Sequence, residues 1–415
     1  MPKALVKKVK HCRVCEGKNL KRFLSLGNMP SVNNFLTAYQ LNKPEHKFPL
    51  NVCYCGNCGM VELEEVVSPK YMFTNYVYIS SFSKTMLGHF EDLALSLIKR
   101  FKLDSDTLVV EVGSNDGTLL KFFKTAGVPV LGIDPAKNLV KVANDAGIET
   151  WGDFFSAKLS KRVVKDKGLA SVIIGTNVFA HIDNLDDVLR GLDIALSEDG
   201  VFVVEFPYLL NLVEGLQFDT IYHEHLSYFA LKPLMHLFSR FGFEMFDVQR
   251  IPVHGGSIRI FVGRSKAKRT PSKSLKELLD LEENVGLYDL RTLKKFASGV
   301  KTIKKDLRRL LIALRKSGKR VAGFGAPAKG NILLNYCEID NRLLSYVTDN
   351  IPYKQGLYTP GTHLQVFPEE KIIKDKPDYL LLLPWNFKDE ILNKLTDFRR
   401  AGGRIIVPVP RVEVI

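Results

Sequence analysis

No apolar run in the chain approaches the roughly 18 residues that a membrane-spanning helix needs, so a helical membrane protein is excluded at the outset. The opening Met1-Pro2-Lys3-Ala4-Leu5-Val6 carries charge but no long apolar region and no small-residue cleavage site. A secretory leader is therefore not expected, and a cytoplasmic location is. Cysteine is nearly absent after residue 58, with only Cys337 beyond it, which leaves no material for a disulfide framework across most of the chain. Acid is scarce between Arg264 and Arg320, where 18 Lys and Arg face 6 Asp and Glu within a chain of formal charge +14. Such an excess can serve nucleic acid, an anionic small molecule or a solvated helix face. Leucines recur there at helical spacing (Leu275, Leu278, Leu279, Leu281, then Leu307, Leu310, Leu311, Leu314). Helices with basic outward faces are the expectation. The remaining composition, 46% hydrophobic and 25% charged over 415 residues, is that of an ordinary globular protein of two or three domains.

The cysteines that are present cluster. Cys12 and Cys15 form one C-x-x-C, Cys55 and Cys58 a second, and Cys53 lies two residues before the second pair. Paired knuckles without a secretory leader read as a closed tetrahedral Zn²⁺ site. The gap between them is longer than in the usual ribbon spacing, and Cys53 or His11 could substitute as ligand. Four thiolates leave no open position, so such a zinc is structural rather than catalytic. The stretch Met29-Pro30-Ser31-Val32-Asn33-Asn34-Phe35-Leu36 between the knuckles reads as a surface loop held by the metal.

The most legible stretch is Leu108-Val109-Val110-Glu111-Val112-Gly113-Ser114-Asn115-Asp116-Gly117, followed by an amphipathic segment to Lys124. Strand, glycine-punctuated turn and helix in that order open a doubly wound nucleotide-binding sheet. The acids select the ligand: a pyrophosphate at a helix N-terminus is poorly served by nearby carboxylates. Glu111 and Asp116 suit a ligand with a cationic head, such as the ammonium and sulfonium of S-adenosylmethionine. Asn115 stands where a third glycine is common, and Asn tolerates positive φ. Val130-Leu131-Gly132-Ile133-Asp134 reads as the second strand, with Asp134 spaced to accept ribose hydroxyls. An ordinary βαβ unit with polar turn residues is the plain alternative.

The βα rhythm continues downstream. Asp153 and Phe154 follow a short strand, where an aromatic can flank an adenine and an acid can accept from its amino group. Strands are expected over 172–177, ending in Asn177, and over 200–206, 244–249 and 257–262, with helices over 84–101 and 186–196. The segment 71–83 is rich in Tyr and Ser and reads either as a connector or as a lid over a polar ligand. Tyr222-His223-Glu224-His225 falls between a strand and a helix starting near Lys232. A metal pair, a general base and a packing histidine are all open there. The base reading rests on imidazole titrating near neutral pH beside a tyrosine able to polarise an oxygen. If that stretch is helical, Tyr222 and His225 share a face. Finally, Gly323-Phe324-Gly325-Ala326-Pro327-Ala328-Lys329-Gly330-Asn331 opens another strand-turn-helix, with strands over 344–349, 379–384 and 403–408. Its turn carries Lys329 and no carboxylate, which suits phosphates. Asp349 could hold a ribose, so an NAD site is a rival there.

Knuckles, acidic turn with Tyr-His-Glu-His, and lysine turn, in that order, resemble the nucleotide-sugar C-methyltransferases of deoxysugar pathways, which methylate a carbon of a TDP-linked 4-keto sugar. The resemblance covers the whole chain. It implies an α/β protein: a zinc module (1–72), a class I S-adenosylmethionine-dependent methyltransferase domain (73–265), and a C-terminal Rossmann-like domain (266–415) preceded by the basic helical segment. Cys12, Cys15, Cys55 and Cys58 would hold zinc. Glu111, Gly113, Asn115, Asp116, Gly117, Asp134, Asp153, Phe154 and Asn177 would hold the methyl donor. Tyr76, His181, Tyr222, Glu224 and His225 would line the sugar site, with His225 as base. Tyr78, Gly323, Gly325, Ala326, Lys329 and Asn331 would bind the nucleotide diphosphate sugar. An RNA-modifying methyltransferase and an NAD-dependent oxidoreductase are the alternatives. The first lacks an aromatic sheet signature for single strands, and no nucleic-acid or membrane partner is expected.

Overall fold

The computed structural model describes residues 5–73, 81 and 84–415. At the N-terminus, Leu20–Pro30, Lys47–Cys55 and Val61–Leu63 form an antiparallel meander. Leu24 and Leu26 face its core while Ser25 points out, the period-2 pattern of a half-buried strand. Pairing of Leu20 with Cys55 sets the two knuckles side by side. The sheet's fourth strand, Ser227–Tyr228, comes from much later in the chain and pairs antiparallel with Val61–Leu63.

The stretch from Met29 to Leu36 departs from expectation. Met29, Val32 and Leu36 are 3%, 2% and 5% exposed, so the loop is an interior wedge rather than a surface excursion. Leu36 and Tyr358 exchange both backbone hydrogen bonds, 2.9 and 2.8 Å, and these remote partners are what bury it.

The central sheet has seven strands in the order Phe243–Ile251, Ser257–Arg264, Leu196–Pro207, Ala170–Thr176, Val109–Val112, Val130–Ile133, Thr150–Trp151. The last five run parallel, and Ser257–Arg264 is antiparallel to both its neighbours. Val109, Val110, Ile173 and Ile174 are fully buried, as the unbroken apolar runs of strands covered on both faces require. Strand order reverses between Val109–Val112 and Ala170–Thr176, which opens a crevice at their carboxyl ends. The expected class I order is present.

The basic segment folds into helices Lys273–Asn284 and Leu290–Lys316, with Leu275, Leu278, Leu307 and Leu311 buried as their spacing implied. Beyond them a six-stranded sheet runs Val366–Phe367, Val347–Thr348, Val321–Phe324, Tyr379–Leu382, Arg404–Val407, Glu413–Val414. All its pairs are parallel except the last. Among the described residues no helix is long and apolar enough to cross a membrane.

Candidate active site and metal centre

The Sγ atoms of Cys12, Cys15, Cys55 and Cys58 all lie within 4.8 Å of one another, with Cys12–Cys58 at 3.7 Å and Cys15–Cys55 at 3.5 Å. A tetrahedral zinc with Zn–S near 2.3 Å separates its sulfurs by about 3.8 Å. The donor set and its spacing therefore fit zinc. Among the described residues this is the one cluster able to hold a metal. Cys53 is fully buried outside it, with its thiol pushed up by burial, and His11 is exposed. Neither joins the ligands. The knuckle also reaches across the molecule: Arg13 Nη1 donates to Glu62 at 2.6 Å and its Nε to Asp183 at 3.1 Å.

At the crevice of the central sheet, Gly113, Asn115 and Gly117 all take left-handed backbone, φ 71°, 53° and 76°. A Cβ at Gly113 would lie 2.7 Å from Val178 Cγ2, so the turn rests directly on the segment that carries Asn177 and His181. Asp116 Oδ1 accepts from Thr118 Oγ1 at 2.6 Å, and its Oδ2 from Ser81 N at 3.2 Å. Asp134 is more committed than the sequence suggested. Its Oδ2 accepts from Asn115 N and its Oδ1 from Ala136 N, both at 2.8 Å, so ribose hydroxyls would use the remaining lone pairs. Asp153 and Phe154 stand exposed past Thr150–Trp151. Asn177, itself left-handed (φ 56°), buries an Oδ1 with no hydrogen-bond partner among the described residues.

Glu111 is 2% exposed, and its Oε2 has no hydrogen-bond partner among the described residues. Burial, then the charges of Asp134 and Asp116, hold its carboxyl well above the usual range. An orphaned buried carboxyl oxygen with two further carboxylates acting on it fits a ligand that brings positive charge. A cation favours the carboxylate form, so it lowers Glu111's pKa on binding. S-adenosylmethionine should therefore bind with release of a proton over the interval between Glu111's lowered pKa in the complex and its raised pKa in the free protein, and its affinity should weaken as pH falls through that interval. Calorimetry in buffers of different ionisation enthalpy reads this directly. Glu111→Gln should abolish the buffer dependence, and a wild-type enthalpy identical in every buffer would refute it.

The histidine stretch is not helical. A short 3-10 turn, Phe218–Thr220, leads into a reverse turn closed by His225 N to Tyr222 O at 2.9 Å. The i to i+3 closure still brings the Tyr222 and His225 rings to 4.0 Å between centroids, with His181 at 5.0 Å from His225. His225 Nδ1 lies 2.8 Å from Thr220 O. A carbonyl only accepts, so Nδ1 carries the proton, and in the neutral form of the ring the lone pair is on Nε2. Burial lowers His181 to about 4, which keeps that ring neutral. His223 is apart from these: its Nε2 lies 3.2 Å from both Phe48 O and Pro49 O, and burial lowers it to about 4. Glu224 is 3% exposed and accepts from Asn33 Nδ2 at 2.7 Å. Tyr76 and Tyr78 lie outside the described residues.

In the C-terminal sheet, Gly325 is left-handed (φ 77°), and a Cβ there would meet Pro384 Cδ at 2.7 Å. Gly323 lies two residues earlier within the strand Val321–Phe324, and Ala326 N donates to Asp349 Oδ2 at 2.8 Å. Ile351 N donates to Asp349 Oδ1 at 2.9 Å, so this turn uses its acid as the first turn uses Asp134. The difference is Lys354, whose Nζ sits 3.4 Å from Asp349 and 3.0 Å from Ala326 O. Lys329 Nζ donates to Asn386 at 2.9 Å and lies 4.9 Å over the Trp385 ring. Burial depresses its pKa, against the pull of Asp219. Asp219, fully buried and raised to about 6 chiefly by burial, accepts from Trp385 Nε1 at 2.6 Å. Asn331 is turned away from the mouth of the turn, its Nδ2 bonded to Val32 O at 2.7 Å. Asn33, Asp219, Trp385 and Lys354 were not singled out from sequence, where each reads as an ordinary loop residue.

Three family models match the chain: a zinc binding domain over residues 12–73, a methyltransferase domain over 86–248, and a C-methyltransferase C-terminal domain over 252–410. The C-methyltransferase NovU of Streptomyces niveus is 37% identical over 411 residues, 99% of this chain and 98% of that protein. Among solved structures, magnesium protoporphyrin IX methyltransferase from Synechocystis with bound SAH is 15% identical, covering 43% of this chain and 83% of that one at a TM-score of 0.34. The PH0226 protein of Pyrococcus horikoshii is 16% identical, covering 48% and 96% at a TM-score of 0.35. Scores this low support no conclusion about the present chain.

Proposed function

The chain belongs to the C-methyltransferase family, and on that premise we propose that it methylates C3 of a nucleotide-linked 4-keto deoxysugar. It is an S-adenosylmethionine-dependent methyltransferase and a zinc protein. When bound, the donor supplies an electrophilic methyl group. The chain's own part is to make a carbon nucleophilic in reach of it. A hydrogen beside a ketone is acidic enough for a positioned base, provided the developing oxyanion is stabilised.

The observation that carries this reading is the trio Tyr222, His225 and His181, with ring centroids 4.0 and 5.0 Å apart and the His225 tautomer fixed by Thr220 O. His225 Nε2 takes the C3 proton. The Tyr222 hydroxyl, aided by the neutral His181 ring, hydrogen-bonds the ketone oxygen as charge builds on it. Glu224 binds a sugar hydroxyl or orients the cluster. At the far end of the substrate, Lys329 and the Gly325–Ala326 turn receive the diphosphate, a role supported by the two lysines there, Lys354 paired with Asp349 and Lys329 facing the buried Asp219. A cytoplasmic setting, where nucleotide sugars are made, accords with this substrate.

The test is a mass-spectrometric screen of nucleotide-linked keto sugars with S-adenosylmethionine, reading the gain of one methylene. With deuterium installed beside the ketone, carbon transfer loses the label, whereas oxygen or nitrogen transfer retains it. Methylation with full retention would overturn the reading.

A further inference from the structure

We propose that Asn33 is a positioning residue of the acceptor site, and that the loop carrying it ties that site to the C-terminal turn. The inference rests on the preceding reading, in which Glu224 and His225 handle the sugar. Two adjacent residues of one loop reach in opposite directions. Asn33 Nδ2 donates to Glu224 Oε1 at 2.7 Å, and the carbonyl of Val32 accepts from Asn331 Nδ2 at 2.7 Å. Glu224 and Asn331 are 3% and 1% exposed, so both bonds are sheltered from competing water. Three residues on, Leu36 is clamped through both backbone groups to Tyr358, and Lys354, the neighbour of Asp349, sits 5.4 Å over the Phe35 ring. The loop thus has fixed ends in the metal-held sheet and the C-terminal domain, with its middle on the acceptor cluster.

A buried carboxylate is sensitive to the loss of a donor, because the group left behind keeps its desolvation cost. Glu224 precedes His225 in a turn closed by a single backbone bond. A swing of Glu224 therefore moves the imidazole that must meet a carbon within a fraction of an ångström. Asn33 touches no reacting atom in this scheme. It acts through Glu224.

The test uses the full-length zinc-loaded protein with a TDP-4-keto-deoxysugar and S-adenosylmethionine, comparing Asn33→Ala, Asn33→Asp, Glu224→Gln and the Asn33→Ala/Glu224→Gln double variant. Asn33→Ala should lower kcat by up to about 100-fold with KM and donor affinity nearly unchanged. Asn33→Asp keeps the shape but sets carboxylate against carboxylate, and should fall further. The decisive reading is non-additivity: once Glu224 is replaced, removing Asn33 should cost nothing more. Multiplicative losses in the double variant, a wild-type kcat in Asn33→Ala, or loss of zinc or donor binding in both Asn33 variants would each overturn the proposal. A wild-type protein that leaves every keto sugar unmethylated would instead bring down the substrate reading on which it rests.

Discussion

Replacing His225 by alanine should cut methyl transfer by roughly 10²–10⁴-fold, the range general bases contribute, and slow exchange of the hydrogen beside the ketone by the same factor. Donor binding should be untouched, because the residues around the Glu111–Gly117 turn bond to one another and to Asp134, Thr118 and Ser81 rather than to His225. The size of the loss follows from the tautomer. With its proton tied to Thr220 O, the ring presents one nitrogen with a lone pair, and no other imidazole in the cluster offers a replacement. His223 is pinned against the carbonyls of Phe48 and Pro49. His181 is held neutral with its affinity for protons lowered, which makes it a poor base. Exchange and transfer should fall together. Normal turnover would eliminate His225 as the base, and lost donor binding would mark a folding defect instead.

The second large effect comes from the metal. Stripping zinc with a strong chelator, or replacing Cys55 by serine, should abolish methyl transfer while the central sheet continues to bind the donor. Structural zinc sites carry an apparent free energy on the order of 10 kcal/mol, comparable to the whole stability of a domain. The damage should travel along a short path. Val61–Leu63 begins three residues after Cys58 and pairs with Ser227–Tyr228, while Leu63 N donates to Leu226 O at 2.9 Å. Leu226 N in turn donates to Ala180 O at 2.8 Å, beside His181. Hydrogen exchange reads this directly: the amides of Leu63 and Leu226 should lose protection when zinc is removed, while Val109–Val112 keeps its own. Full activity in metal-free protein would contradict it.

What the sequence revealed is local. Knuckle spacing, the glycines and acids of residues 111–117, unbroken valine runs and leucines at helical period each declare themselves within a short window, and the sheet order followed from the βα rhythm. What it concealed is distance. Asn33 and Glu224 are 191 positions apart, and Val32 and Asn331 are 299, so the polar loop between knuckles looked like surface although its apolar residues are interior. Backbone partners conceal themselves differently. Thr220 fixes the His225 tautomer through a carbonyl, and every residue has one. The acids at the two strand ends, Asp134 and Asp349, were visible as ribose candidates. That each is already clasped by two turn amides was not, because main-chain donors leave no trace in residue identity. Tyr222 to His225 is not helical, yet the pairing of Tyr222 with His225 that a helix would have given is present, since a reverse turn and a helix both bring residues three apart together.

The strand Ser227–Tyr228 also bears on how the protein is made. Until that segment leaves the ribosome, the N-terminal sheet carries an open edge along Val61–Leu63, whose three side chains are all interior in the finished molecule. Bare edges of this kind recruit other chains, and domains made early must wait for late-arriving pieces. Fragments cut shortly before residue 227 should therefore be more prone to aggregation than fragments cut shortly after 228, even with zinc fully loaded.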